Sequence, residues 1–306
     1  MRAAFLEALL VEAHKDTRII LVSPDTGGFH CETFRRELPG QYLNAGIAEQ
    51  NAVGIAAGLA LAGRRPFVFN TLSFNSFRCF EQVRLDVCAM RLSVVLVGVG
   101  AGLDYGLFGP SHHAMEDMSL MRSLPDMSVF SPADDTVAAA LVQHTVQGGG
   151  PAYLRLDRAG TPLVYQRDAR IELSQGLALL RTGRDLLIAA TGRMVERAME
   201  VADTLSASLV DTSVVDVFRL KPFPARRFLD LAESCPRIAT LEEHSASGGL
   251  GTAILEVLAD HGLTRSVRRF GLPDRFYHVC GDRDYMHKAS GLDAAALAAR
   301  LVDNRP

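Results

Sequence analysis

Short apolar runs rich in β-branched residues alternate with longer amphipathic segments along the chain, and this alternation restricts the fold more than any other feature. The runs in the first half are RIILVS (18–23), PFVF (66–69), LSVVLVGV (92–99), MSVF (127–130) and AYLRL (152–156). Each has the length of a buried strand. Strands that alternate with helices predict an α/β fold built on a doubly wound parallel sheet.

The segments between these runs have the apolar spacing of helices. The clearest are AEQNAVGIAAGLALAG (48–63), FNSFRCFEQVRLDVCAM (74–90) and DDTVAAALVQHTVQ (134–147). The first closes on Gly63 and the last runs into Gly148, and glycine is a common residue just after a helix.

A second, smaller series of strands and helices starts at DLLIAAT (185–191), after an irregular stretch. A chain of 306 residues is long enough for two domains. We therefore predict a first domain over residues 1–160, a linker over 161–184 and a second α/β domain over 185–306.

Composition and charge exclude several classes of protein. A hydrophobic fraction of 48% and a charged fraction of 22% are those of a globular chain. The formal net charge of -3 gives no basis for binding nucleic acid or an anionic membrane. No apolar run is long enough for a membrane span, and the N-terminal stretch MRAAFLEALLVEAHKDT resembles an amphipathic helix more than a signal peptide. Five scattered cysteines without a CxxC motif favour a reducing, cytoplasmic setting.

Glu49 is the first candidate for chemistry. It lies in YLNAGIAEQN (42–51), where small residues precede it and the apolar run VGIAAGLALAG follows. Small side chains allow another molecule to approach the backbone closely, and apolar surroundings disfavour the charged form of a carboxyl group. This combination suits a proton donor. The alternative is an ordinary acid in the first turn of a helix.

Two further motifs follow the strand LSVVLVGV. The stretch GVGAG (98–102) lacks the spacing of a dinucleotide-binding motif, because the third glycine of G-x-G-x-x-G would fall at Leu103. SHHAMED (111–117) carries two histidines and two acids, but adjacent histidines point apart, so helix capping accounts for most of them better than a metal site. His112 is the exception, because it ends a glycine-rich loop after a strand, where α/β sheets bind ligands.

Phe74 and Phe77 lie three residues apart at a helix start, just after a strand. Core packing is the ordinary role of such a pair, and stacking on a ligand is the alternative. Gly54 and Gly58 form a GxxxG motif in the helix that follows Glu49, which favours close helix packing and would suit a subunit interface.

Together these stretches resemble the carboxyl-terminal half of transketolase. YLNAGIAEQNAVGIAAGLAL (42–61) resembles the segment with the thiamine-activating glutamate, SFNSF (73–77) the aromatic segment beside the cofactor's aminopyrimidine, and GPSHHAMED (109–117) the loop with the substrate histidine. TLEEHSASGGLGTAILEVLADHG and GLPDRFYHVCG agree in the second half. The resemblance implies a pyrimidine-binding domain followed by the family's C-terminal domain, in a transferase of aldehyde or ketone groups.

The resemblance also implies roles for individual residues in a site for thiamine diphosphate. Glu49 would hydrogen-bond N1′ of the aminopyrimidine, Phe74 would pack on that ring, and His112 would contact the substrate and assist proton transfer. Phe77 and Asp25 are assigned to the same cofactor site.

One motif of the full-length family pattern is missing. Full-length transketolases hold the diphosphate and Mg²⁺ with an N-terminal domain marked by GDG and a downstream asparagine, and no such motif occurs in this chain. We therefore expect one subunit of a split transketolase, with an N-terminal partner subunit that holds the diphosphate and Mg²⁺ in an α₂β₂ assembly.

Three positions bear on the sugar substrate. Phe108 lies where the family pattern has an acid that recognises a hydroxyl of the donor, and Gly100 lies where a phosphate-contacting histidine is expected. Arg158 matches a phosphate-contacting arginine. The loss of two polar contacts with retention of one cation disfavours the usual pentose phosphate donors.

Three alternatives remain open at the level of sequence. They are the β subunit of a 2-oxo acid dehydrogenase E1, a deoxyxylulose phosphate synthase-like carboligase, and a structural or regulatory subunit without chemistry. The GPSHHAMED loop favours transketolase over the first, and the lack of the N-terminal part counts against the second. Retention of Glu49, Phe74 and His112 argues against the third.

Overall fold

The computed structural model describes residues 1–25, 30–158, 162–166 and 169–302, which form two β-sheets with helices packed on them. The strands are β1 (Ile19–Ser23), β2 (Tyr42–Asn44), β3 (Arg65–Thr71), β4 (Val95–Val99), β5 (Ser128–Phe130), β6 (Ala152–Leu156), β7 (Ala178–Arg181), β8 (Leu186–Ala190), β9 (Thr212–Asp216), β10 (Arg219–Lys221), β11 (Arg237–Ser245) and β12 (Ser266–Leu272). The α-helices are α1 (Arg2–Lys15), α2 (Glu32–Glu37), α3 (Glu49–Leu61), α4 (Phe80–Gln82), α5 (Asp117–Ser123), α6 (Asp135–Gln147), α7 (Met194–Ser206), α8 (Ala225–Glu233), α9 (Leu250–Asp260), α10 (Arg283–Ser290) and α11 (Ala294–Val302).

The first sheet has the strand order β10-β5-β6-β4-β3-β1-β2, and all its strands except β10 pair in parallel. Alternate residues of a strand enter different cores, since Ile20 and Val22 belong to one buried cluster and Ile19 and Leu21 to another. Helix α3 packs in the first cluster, and α1 and α6 pack in the second. Helices therefore cover both faces, which confirms the predicted doubly wound parallel sheet.

The second sheet has the order β12-β11-β8-β9-β7 and is parallel except for β7. Strand β7 lies inside the stretch 161–184, where the sequence pattern predicts a linker. Its residues pair antiparallel with β9 at the edge of the sheet, so part of this stretch belongs to the second α/β unit. The division of the chain into domains stays a prediction.

The structure confirms the five strands predicted in the first half, and AYLRL matches β6 residue for residue. The helix predicted over 74–90 is less regular than its pattern suggests. It contains the π-helical turns Phe74–Arg78 and Val83–Cys88 on either side of the short α4. Single π-helical turns are frequent at functional sites.

Buried polar contacts join the two halves of the chain. Strand β10, from the second half, pairs with β5 of the first sheet. The side chain of Arg155 is buried and donates to Asp117 at 2.9 Å and to the carbonyl of Glu243 at 2.9 Å. The ion pair lies within the first half, and the hydrogen bond from the same guanidinium to the Glu243 carbonyl ties β11 of the second half to it.

These connections bring the predicted site residues to one edge of the first sheet. Helix α3 follows β2, the π-helical turn with Phe74 follows β3, the loop with His112 follows β4, and Arg158 follows β6. The carboxyl ends of parallel strands share one edge of the sheet, which is where such sheets bind ligands.

Two features are absent from the described part of the chain. None of its helices is long and apolar enough to cross a membrane. Nor do its His, Cys, Asp and Glu side chains include a group of three or more that could hold a metal ion.

Candidate active site

Glu49 is the first residue of α3, and only 4% of its surface is exposed. The guanidinium of Arg78 approaches it, with Nη1 at 2.8 Å from Glu49 Oε1. This is an ion-pair distance, but the two groups do not meet at a hydrogen-bonding angle, so Oε1 has no hydrogen-bond partner among the described residues. A buried carboxyl oxygen without a hydrogen-bond partner is available to form a hydrogen bond with a ligand.

Phe74 begins the π-helical turn after β3 and lies beside the same arginine. The guanidinium carbon of Arg78 is 4.2 Å from the centre of the Phe74 ring, which is a cation–π distance. Arg78 therefore pairs with Glu49 and covers Phe74 at the same time. Its side chain is 44% exposed, so it can turn outward into solvent.

These two contacts test whether the site fits an aminopyrimidine. Such a ring is flat, exchanges a hydrogen bond with a carboxyl group through its nitrogen, and packs on an aromatic face. The guanidinium of Arg78 is also flat and nitrogen-rich, and it contacts a carboxyl group and an aromatic face here. Glu49 and Phe74 therefore fit the pyrimidine part of thiamine diphosphate, in the place that the guanidinium takes in this structure.

Three aromatic rings surround His112, and we call this set the ring cluster. The ring centres of Phe74, Tyr105 and Phe108 lie 5.1, 5.4 and 5.0 Å from that of His112. Tyr105 and Phe108 also contact each other edge to face, at 5.6 Å. The cluster links the predicted cofactor residue Phe74 to the predicted substrate residue Phe108 through the histidine.

The protonation of His112 follows from these surroundings. Burial lowers the pKa of His112 below its ordinary value of 6.5, and the positive charge of Arg78 lowers it further. Ser111 Oγ lies 2.9 Å from His112 Nδ1 and helps to orient the imidazole. A neutral imidazole has one nitrogen that donates and one that accepts, so it suits proton transfer in both directions.

The loop that carries His112 is held by the second half of the chain. Gly102 and Ala114 bridge its two ends. The amide of Leu103 donates to Glu243 Oε1 at 2.7 Å, and Arg283 donates to Glu243 Oε2 at 2.6 and 3.0 Å. The second sheet, through β11, thus fixes the start of the loop.

Gly100 lies in the same loop and contacts the ring cluster. Its φ of +99° is in the region that favours glycine. A Cβ at this position would lie 2.0 Å from Cε2 of Tyr105, well inside contact distance. A larger side chain therefore has no room at position 100 while the Tyr105 ring lies there.

Arg158 packs on Tyr105, with its guanidinium carbon 4.5 Å from the ring centre. Its amide donates to Asp104 Oδ2 at 2.7 Å. Arg2, the first residue of α1, belongs to the same region although no sequence motif marked it. Burial lowers the pKa of Arg2, and Arg158 lowers it further, while Tyr105 and Asp104 oppose this effect.

Two predicted cofactor residues lie apart from these contacts. Phe77 lines a cavity of about 300 Å³ together with Pro110, His113, Met115, Glu116, Leu120 and Phe276. Asp25 is exposed and accepts from Asn44 Nδ2 at 3.3 Å. Their assignment to the cofactor site stays a prediction.

Comparison with known proteins agrees with this arrangement. The family model for the transketolase pyrimidine binding domain matches residues 1–162, and that for the transketolase C-terminal domain matches residues 176–297. The chain belongs to the transketolase family. Membership implies dependence on thiamine diphosphate.

Transketolase subunits are among the similar curated proteins. An apulose-4-phosphate transketolase subunit of Phocaeicola vulgatus is 37% identical over 304 residues, which cover 99% of this chain and 96% of the relative. The 6-deoxy-6-sulfo-D-fructose transketolase subunit of a Clostridium species is 36% identical over 309 residues, which cover 100% and 95%. The match extends over nearly the whole length of each of these relatives.

A solved split transketolase has the same fold. It is described as a split gene transketolase in an inactive beta4 tetramer, and it superposes with a TM-score of 0.88 at 34% identity. The match covers 98% of this chain and 96% of that one.

Proposed function

We propose that this chain is the C-terminal subunit of a split transketolase, which transfers a two-carbon ketol unit from a ketose donor to an aldehyde acceptor. The observation that carries the proposal is the continuous contact between an acid, an aromatic ring and a histidine. Arg78 joins Glu49 to Phe74, and Phe74 lies 5.1 Å from His112. These three side chains come from separate elements and meet at the ligand-binding edge of the first sheet.

The side chains have distinct tasks in this proposal. Bound thiamine diphosphate supplies the nucleophilic carbon for the transfer. Glu49 would hold N1′ of the aminopyrimidine by a hydrogen bond, and Phe74 would pack on that ring. His112 would donate to the substrate's carbonyl oxygen as negative charge develops there, and would carry a proton to or from the substrate.

We assign the diphosphate and Mg²⁺ to an N-terminal partner subunit, in a cytoplasmic α₂β₂ assembly. This chain lacks the GDG motif that marks the diphosphate-binding domain. The names of two relatives, each a transketolase subunit, support a division of the enzyme between chains. All five cysteines are free, which fits a reducing compartment.

Cofactor binding should therefore depend on the partner. We expect the isolated chain to bind thiamine diphosphate weakly, and the mixture with the N-terminal subunit and Mg²⁺ to bind it at least about 100-fold more tightly. The diphosphate contacts are charge-assisted, and two such hydrogen bonds at about 1.5–3 kcal/mol each suffice for this difference. Isothermal titration calorimetry on the chain, the pair, and the pair with EDTA measures it. Tight binding to this chain alone would contradict the shared site.

The donor in this proposal carries an anionic group at the end away from the transferred unit. Arg158 packs on Tyr105 of the ring cluster and provides a positive charge beside it. The relatives are named for apulose 4-phosphate and for 6-deoxy-6-sulfo-D-fructose, and both sugars carry an anionic group. We infer that a phosphorylated or otherwise anionic ketose is the donor class.

Phe108 should influence which hydroxyl pattern is accepted. Its ring is 56% exposed beside His112 and cannot hydrogen-bond a sugar. We expect Phe108→Asp to shift the ratio of kcat/KM values toward ordinary ketose phosphates by about ten-fold, because one hydrogen bond to a charged group contributes about 1.5–3 kcal/mol. A donor panel measures the shift. Leu107→Asp is the matched control, since Leu107 is 72% exposed in the same loop. Unchanged selectivity in Phe108→Asp would remove Phe108 from the donor site.

A further inference from the structure

Tyr105 takes the space that a side chain at position 100 would need. Gly100 lies where the family pattern has a phosphate-contacting histidine, and a Cβ there would meet Cε2 of Tyr105 at 2.0 Å and Cδ2 at 2.3 Å. The pocket therefore has an aromatic ring at this place instead of an imidazole. Neither the glycine-rich motif nor the family pattern draws attention to Tyr105.

The contacts of Tyr105 connect His112 and Phe108 to Arg158. Its ring packs against His112 at 5.4 Å and against Phe108 at 5.6 Å. The guanidinium carbon of Arg158 lies 4.5 Å from the same ring centre. Tyr105 thus touches both the histidine that would act on the carbonyl and the arginine that would bind the anionic end.

Arg158 depends on this ring for its position. The Arg158 amide donates to Asp104 Oδ2 at 2.7 Å, and Nη1 of the guanidinium donates to the Asp104 carbonyl at 3.4 Å. The latter is a long hydrogen bond. Nε of Arg158 is buried without a hydrogen-bond partner among the described residues. The guanidinium thus packs on the Tyr105 ring and, among the described residues, still has an unused donor for an anion.

We propose that Tyr105 is a specificity-determining residue of this transketolase, because its ring holds Arg158 in position to bind the anionic end of the donor. A histidine at position 100 would contact the anionic group directly. The Tyr105 ring instead contributes to binding that group by positioning Arg158. This ring packs edge to face with Phe108, so the selection that it provides acts through the position of Arg158. The inference rests on the proposed ketol transfer and deepens it.

The test compares Tyr105→Leu and Tyr105→Phe in the reconstituted complex. The donors are D-xylulose 5-phosphate, D-fructose 6-phosphate and 6-deoxy-6-sulfo-D-fructose, which are anionic, and L-erythrulose, which is neutral. We expect Tyr105→Leu to raise KM for the best anionic donor by about 5- to 30-fold, the range of a partly desolvated cation–π contact. In the same variant, KM for L-erythrulose should change by less than about two-fold, and so should kcat for L-erythrulose and for the best anionic donor. Tyr105→Phe keeps an aromatic ring and should retain most of the affinity for the anionic donor.

Leu107→Ala in the same loop is the control, and the thermal unfolding midpoint of every variant is measured beside it. Equal losses with L-erythrulose and with the anionic donors would make Tyr105 a general structural residue and overturn the proposal. A Tyr105→Phe variant as impaired as Tyr105→Leu, or a wild-type complex that gains nothing from an anionic group, would also overturn it. Failure of the proposed function gives a different result, since the wild-type complex would then transfer no ketol unit from any donor.

Discussion

Glu49→Gln is expected to lower kcat of the reconstituted complex by about 10²- to 10⁴-fold, the usual range for the loss of a proton-transferring group. The amide keeps the shape of the side chain but cannot exchange a proton with the pyrimidine nitrogen. Because Glu49 is buried at the start of α3 and faces Arg78 and Phe74, few other groups can take over this task. Steady-state kinetics at saturating cofactor, with assembly followed by size-exclusion chromatography, measures the loss.

The matched control for this substitution is Glu81→Gln. Glu81 lies in α4, close along the chain to Phe74, and its side chain is 64% exposed in an ion pair with Arg84 at 4.0 Å. Surface pairs of this kind contribute little to stability, so this variant should have wild-type turnover. Glu49→Gln with a near wild-type rate at saturating cofactor would remove Glu49 from the chemistry.

His112→Ala is expected to lower kcat by about 10²- to 10⁴-fold while thiamine diphosphate still binds with an affinity within about three-fold of wild type. The histidine packs edge-on against Phe74, whereas Glu49 pairs with Arg78, so we expect the histidine to act on the substrate and not to hold the cofactor. Calorimetry and kinetics on the same complex separate the two effects. His14→Ala is the control, because that side chain is 51% exposed on α1, far along the chain from the loop.

The pH dependence gives a second measure of His112. Burial and then Arg78 lower the pKa of this histidine, so it stays neutral at pH values where a free imidazole is already half protonated. Activity that requires the neutral form should therefore be lost only as the pH falls through this lowered pKa, below 6.5. Arg78→Gln removes one of the two causes and should raise the pKa of His112 in the cofactor-free chain, which an NMR titration of the imidazole measures. An effect of His112→Ala on cofactor affinity as large as its effect on kcat would contradict the assigned role.

The sequence pattern predicts much of this architecture because parallel α/β sheets bury both faces of their strands. Val95–Val99 and Ala152–Leu156 are apolar throughout or nearly so, and a run of that length between helical patterns is typical of a strand buried on both faces. Glu49 and His112 could be chosen as candidate site residues from the sequence because each comes after a strand, in a segment that starts at the carboxyl edge of the sheet. Parallel α/β sheets bind ligands at that edge.

Other features depend on packing between distant segments and leave little trace in the sequence. Tyr105 becomes relevant only because its ring meets Gly100 and Arg158, and Arg2 only because α1 places it near the same arginine. Arg78 looks like an ordinary helix-surface cation until the π-helical turn brings it over Phe74. Strands β7 and β10 are short, and they are defined by pairing at sheet edges rather than by an apolar run.

A carbon-transfer assay on the reconstituted pair tests the proposed ketol transfer most directly. This chain and its N-terminal partner are incubated with thiamine diphosphate, Mg²⁺, a ¹³C-labelled ketose from an anionic donor panel, and an aldehyde acceptor, and the products are identified by mass spectrometry. We expect an acceptor lengthened by two labelled carbons, formed only when both chains are present and suppressed by Glu49→Gln. If the pair instead condenses pyruvate with the aldehyde and releases CO₂, or forms acetyl-lipoamide from pyruvate, while every ketose donor stays intact, then the chain is not a transketolase subunit in function.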